Sequence, residues 1–219
     1  REYYNLIRKA AASPRTAIVS YTAFEHIYAR KHRNVELGRE VIRPTGFSFT
    51  LSDSKSDGRG SVPAHVKKSE TFLIPPYQND ERLVGICEKL KINCYRGRYA
   101  GPKDAKGFKG IIHVPYAWSN LALFEMLSQG IPYFIPSLKL LLNENDIFWS
   151  PPFDQEELRK SEWYDPDLEH LFIYFDTWEE LPSVIAKTDF DKQSKLLIDY
   201  STQHHDEMLN SWRATLFRL

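Results

Sequence analysis

The chain has 219 residues, enough to bury a full core as one large domain or as one domain with a partial second. Lysine plus arginine equal aspartate plus glutamate at 29 each, so bulk charge indicates neither a polyanionic partner nor an acidic substrate. The sequence shows no long apolar run, no signal peptide and no metal-ligand spacing at Cys87 and Cys94, so a cytoplasmic protein with reduced thiols is expected.

The chain opens inside a helical pattern over 2–12, with Arg rather than Met as its first residue, as expected of a domain excised from a longer polypeptide. Ser13-Pro14 stops that helix. TAIVSY, 16–21, is a compact apolar run and predicts a strand. Thr22 then offers an N-cap for a helix over 23–32, with Glu25 in its first turn. Residues 35–45 have weak strand character, and the polar, glycine-containing stretch 52–61 predicts an exposed linker.

A more regular unit follows. TFLI, 71–74, before Pro75-Pro76 predicts a strand, and Asn79 or Asp80 caps a helix to about Lys91, with Leu83, Ile86, Cys87 and Leu90 on one face. A short strand over 93–99 leads into a basic loop. Then come a βαβ unit over 110–137, a helix over 138–143 and an irregular aromatic stretch over 149–163. LFIYFD, 171–176, predicts a strand, and Thr177 with Glu180 three residues on predicts a capped helix over 178–187. Residues 189–216 form a long helical pattern that could break into two pieces. Strands alternating with helices through short links predict an α/β fold with a parallel sheet, and no repeat is evident. We therefore divide the chain into a reduced N-terminal α/β portion, 1–65, and a Rossmann-like domain, 66–219.

The βαβ unit, GIIHVPYAWSNLALFEMLSQGIPYFIPS, carries the chemistry. Its apolar strand ends at Pro115, and Ser119 is placed to be the N-cap of the helix, with Tyr116 and Asn120 in the same polar turn. A helix N-terminus there favours phosphate through its unpaired N–H groups and its dipole. The helix is otherwise apolar except for Glu125. On the pattern alone, Glu125 belongs equally to a surface stripe with Ser128 and Gln129 or to a crevice that would hold a ribose diol.

This run resembles the nucleotide-sugar-binding element of GT-B glycosyltransferases. Their second Rossmann-like domain carries a turn with proline and serine, a helix with an acidic residue, and a small-Gly-hydrophobic-Pro exit. Pro115, Ser119-Asn120, Glu125 and Gly130-Ile131-Pro132 are the matching parts. The resemblance implies a UDP-sugar donor, with Glu125 on its ribose and the turn on its diphosphate. Many retaining members carry a second glutamate eight residues earlier. Ala117 stands there in this chain, which puts a retaining mechanism in doubt and implies inversion. No required metal or other cofactor is expected, the UDP-sugar being the donor substrate. YTAFEHIYAR and FLIPPYQND are also similar to a middle domain in multidomain glycosyltransferases of large algal viruses, which implies rhamnosyl transfer to a glycan hydroxyl in a host cytoplasm.

A leaving nucleoside diphosphate needs cations or N–H donors. Arg96 and Arg98, after a strand, are the cationic candidates, and Tyr77 follows another strand's carboxyl end. An inverting step needs a base for the acceptor hydroxyl, and Glu25 and His26 lie past the first predicted strand. Each of these also has a plain structural reading: solvated loop cations, a first-turn acid and a packed imidazole.

Other patterns exclude more than they suggest. Asp165-Pro166-Asp167 is formally a DxD, but its proline makes it a turn and helix start. His204 and His205 are adjacent and cannot share one helix face for a metal. GPKDAKG lacks the P-loop ending, and neither GxGxxG after a strand nor GxSxG occurs. The expected partners are thus a nucleotide sugar, a glycan acceptor and further domains of the same polypeptide, with neither nucleic acid nor membrane span. The alternative is a noncatalytic nucleotide- or glycan-binding module; a GT-B-like epimerase would need paired acid/base residues that are not identifiable.

Overall fold

The structure, a computed structural model, describes residues 2–38, 40–46, 61–75, 80–143 and 155–218. Five strands form one all-parallel sheet: β1 (Phe72–Ile74), β2 (Cys94–Arg96), β3 (Gly110–Ile112), β4 (Tyr133–Pro136) and β5 (Phe172–Phe175), in the spatial order β2-β1-β3-β4-β5. β1, β3 and β4 are short and wholly buried because both faces are covered, whereas the edge strand β2 is only half-buried and ends in the exposed Arg96. Alternate side chains go to opposite layers: Leu73, Ile111, Tyr133 and Ile135 to one, Phe72, Ile74, Ile112 and Phe134 to the other. The result is a Rossmann-like α/β fold.

On the first layer lie α4 (Pro102–Ala105), α5 (Leu121–Ser128) and the middle of the long helix α9 (Phe190–Leu216), with α7 (Gln155–Leu158) and the fully buried Trp163. The second layer is covered by α3 (Asp80–Lys89), α8 (Leu181–Lys187) and Phe190, while α6 (Leu138–Asn143) turns Leu141 to one layer and Leu140 to the other. Two glycines permit close approaches. A Cβ on Gly110 would meet Phe72 and Phe134, whose rings cross edge-on at 5.4 Å, at about 3.1 and 3.0 Å. Gly130 takes φ +69° to end α5, and a side chain there would strike Ser194 of α9.

The N-terminal portion departs from expectation. Its helices α1 (Glu2–Ala11) and α2 (Ala23–Arg33) form as the pattern predicts, and Thr22 accepts from Glu25 N–H at 3.2 Å. The apolar run 16–21 is not a strand. Only Ser20 pairs, with Val41, in a single parallel bridge. A strand needs a neighbour along its length, and here the pairing ends after Ile42 N–H donates to Ser20 C=O at 2.8 Å.

Other boundaries shift for local reasons. Asn120, not Ser119, is the N-cap of α5, its Oδ1 accepting from Ala122 N–H at 2.9 Å. α8 begins at Leu181, after a turn in which Thr177 accepts from Glu180 N–H and Glu180 accepts from Asp176 N–H. α9 runs unbroken for 27 residues from its Asp189 cap. Asp165 makes a turn, accepting from Asp167 N–H at 3.0 Å, and leads into a short 3₁₀ helix, Glu169–Leu171. Cys87 and Cys94 are free thiols, and Cys87 together with burial pushes the Cys94 thiol up, away from reactive thiolate.

Candidate functional site

In a parallel sheet of this order, the chain leaves β1 toward β2 on one side and β3 toward β4 on the other. The carboxyl ends of β1 and β3 therefore open a crevice, the place where such sheets bind ligands. The wall after β1 begins at Pro75, and Tyr77 lies outside the described residues. The wall after β3 is the turn 113–120.

That turn is held from two sides. The indole Nε1–H of Trp163 donates to Ala117 C=O at 2.8 Å, and Glu162 N–H donates to Trp118 C=O at 2.8 Å. Asn120 Nδ2 reaches the Tyr116 hydroxyl at 3.2 Å, and His113, buried against Trp163 at 4.7 Å between ring centroids, has its pKa pushed down by burial to about 3. A neutral imidazole thus fills the base of the turn. Ser119 is buried one residue before the cap.

The N-terminal portion lies over this turn. Phe24 of α2 stacks on Trp118 at 4.7 Å and 14°, with Tyr28 on the same ring at 6.2 Å. Arg43 reaches further, its Nε to Glu162 Oε2 at 3.2 Å and its Nη2 to Asp165 Oδ2 at 3.0 Å. Glu162 is 1% exposed, and burial raises its pKa to about 8 although Arg43 pulls the other way. Further along the same face of α2, where His32 lies 5.0 Å from the Tyr28 ring, the buried Glu157 takes Lys31 at 3.2 Å and His32 at 2.6 Å.

Each predicted residue has a definite place. Glu125 is exposed on α5, one turn beyond Leu121, which is itself 65% exposed, so the two share the solvent face of that helix. Glu25 is half-buried, and its Oε2 accepts from Tyr21 N–H at 3.1 Å, capping its own helix. His26 faces two backbone carbonyls, Gly38 at 2.8 Å and Glu40 at 3.3 Å, and so ties α2 to the next segment. Arg96, at the end of the edge strand β2, pairs with Glu81 at 3.6 Å; Arg98 is exposed. Both are separated from β3 by β1, a lateral distance of about 10 Å. The structure thus brings Tyr116, Ser119 and Asn120 together in the turn after β3, sets Glu125 on the exposed face of α5, and leaves the two arginines beyond β1.

Glu162, Arg43, Trp163 and His113 were not foreseen. Glu162 and Trp163 sit in an aperiodic stretch, and Arg43 in a weak strand pattern, so no spacing marks them. The one available signal was the cluster of rings and acids in SEWYDPD, 161–167. Among the described residues, no group of three His, Cys, Asp or Glu side chains is placed to hold a metal, and no helix is long and apolar enough to cross a membrane. Comparisons with models of protein families, with curated proteins and with solved structures return no match.

The buried acid predicts a pH response. Native Glu162 holds its proton up to about pH 8, whereas an unfolded glutamate loses it near 4.5. The native state therefore binds more protons between those values, so this group's contribution falls as pH rises through the window and levels off above it. Glu162→Gln is expected to flatten the slope. Urea midpoints at pH 5 and pH 9 test this, and an unchanged difference between them would disprove the assignment.

Proposed function

We propose that the chain is a GT-B-type glycosyltransferase that moves a sugar from a UDP-sugar to a glycan hydroxyl with inversion and without a metal. The observation that carries the reading is the start of α5: a capped helix N-terminus at the carboxyl edge of β3, beside the switch point, followed by an exposed Leu121 and Glu125 one turn apart. First-turn N–H groups and Asn120 suit a diphosphate. Leu121 offers an apolar surface beside it, and Glu125 can accept both hydroxyls of a ribose. Tyr116, bonded to Asn120, lies where the base or sugar would rest. Rhamnose as the sugar and a viral glycan as the product rest on the resemblance alone.

In this reading Glu25 or His26 is the base for the acceptor hydroxyl, and Glu25 lies beside Tyr21, whose pKa burial and Glu25 raise. One of its oxygens already caps α2, and both ring nitrogens of His26 face carbonyls. That double engagement favours the second reading, a noncatalytic nucleotide- or glycan-binding module.

Two measurements separate them. Calorimetric titration with UDP is expected to show binding that weakens about tenfold, or 1.4 kcal/mol, in Glu125→Ala. Equal affinities would remove Glu125 from the ribose site. Slow release of UDP from a UDP-sugar supports the transferase, and UDP binding with neither donor hydrolysis nor transfer to a glycan acceptor supports the module.

A further inference from the structure

The long helix α9 leaves one apolar stripe uncovered. Ile198, Leu209, Trp212 and Leu216, with Thr202 and the half-buried His205 between the first two, recur at alternating spacings of four and three, the spacing of a two-helix seam. Along it Ile198 is 44% exposed, Leu209 37%, Trp212 40% and Leu216 64%. The neighbouring face of the same helix packs on the body of the molecule and buries Leu197 and Thr215. At about 100° per residue, Leu209, Trp212 and Leu216 fall within about 60° of one another, so they form one patch rather than scattered exposures. A contiguous exposed apolar patch marks an interaction site.

Charge selects the occupant. Asp206 and Arg213 flank the stripe on the same side, both exposed, one heptad or about 10 Å apart along the axis. In an antiparallel pair related by a two-fold axis, the same flank of each helix meets with its direction reversed. Asp206 of each copy then faces Arg213 of the other, twice over. This register centres the contact near Leu209 and brings each Trp212 toward His205 and Leu209 of the second copy. His205 lines a groove of about 510 Å³ between α9, Lys106 and the end of α5 at Ser128 and Gln129, which leaves room for the incoming ring.

We propose that the chain self-associates through α9, as an antiparallel pair with Asp206 opposite Arg213. The inference does not depend on the transferase reading.

Sedimentation analysis of the full chain over a range of concentrations tests it. The wild type is expected to show a reversible monomer–dimer equilibrium, with Trp212→Glu raising the dissociation constant about tenfold or more. Asp206→Arg and Arg213→Asp each set like charges together and are expected to weaken self-association about threefold or more. Mixing those two variants restores opposite charges at both contacts, so a heterodimer of wild-type strength is expected. Far-UV circular dichroism checks that each variant is folded. A wild type that stays monomeric at every concentration overturns the proposal, as does a dimer indifferent to Trp212→Glu. Failure of the mixed variants to pair overturns the register.

Discussion

Replacing Arg43 by Ala is expected to lower stability by about 3 kcal/mol at neutral pH. Near pH 7 Glu162, with a pKa of about 8, is largely protonated, so the guanidinium is held chiefly by Asp165, whose side chain is 8% exposed. Without the guanidinium, Asp165 keeps, among the described residues, the backbone donor of Asp167, in a place with little water. Glu162 loses the one group that lowers its pKa through a direct hydrogen bond. The N-terminal portion would also lose an anchor to the loop after α7. Denaturant unfolding measures the loss. A cost below about 1 kcal/mol would mean that water already satisfies Asp165. At higher pH the penalty grows, because Glu162 then ionises beside Asp165 with no cation between them.

Trp163→Ala is expected to cost about 3 to 5 kcal/mol and to weaken UDP binding. The ring is 1% exposed and packs against His113, Tyr133 and Phe172 at 4.7 to 5.8 Å between centroids. Its removal empties the largest fully buried side chain in the first layer and frees Ala117 C=O, which the indole holds. The turn before α5 then loses that bond and keeps the one from Glu162 N–H to Trp118 C=O. Trp163→Phe separates the effects: it keeps most of the packing and loses the hydrogen bond, with an expected cost of about 1 kcal/mol. If Trp163→Ala unfolds at the same urea concentration as wild type, the packing argument fails. If it is destabilised but binds UDP unchanged, the turn does not hold the nucleotide.

Much of the architecture was legible because it is local. FLI, GII and FIYF are short apolar runs between capped helices, and each helix face repeats at its own period, so alternation of the two elements implied a parallel sheet. The Asn120 cap and the Gly130 exit could be bracketed to within a residue, since both depend on nearest neighbours. The run 16–21 misled because a strand is defined by its partner and not by its own composition. Among the described residues its one bridge is to Val41, at Ser20.

The site divides the same way. By itself, the sequence determined that a polar turn, a capped helix and a lone glutamate follow an apolar strand, because chain connectivity carries them in one 28-residue unit. Only the tertiary structure decided the electrostatics around that unit. Arg43 meets Glu162 and Asp165 across 119 and 122 residues, and His32 meets Glu157 across 125. Such pairings have no period and no fixed spacing, so they exist only once α2 has folded over Trp118 and excluded water. The lost water is what raises Glu162 and holds His113 neutral, and it leaves Arg43 one of several links, with Phe24 on Trp118 and His32 on Glu157, between the two portions of the chain.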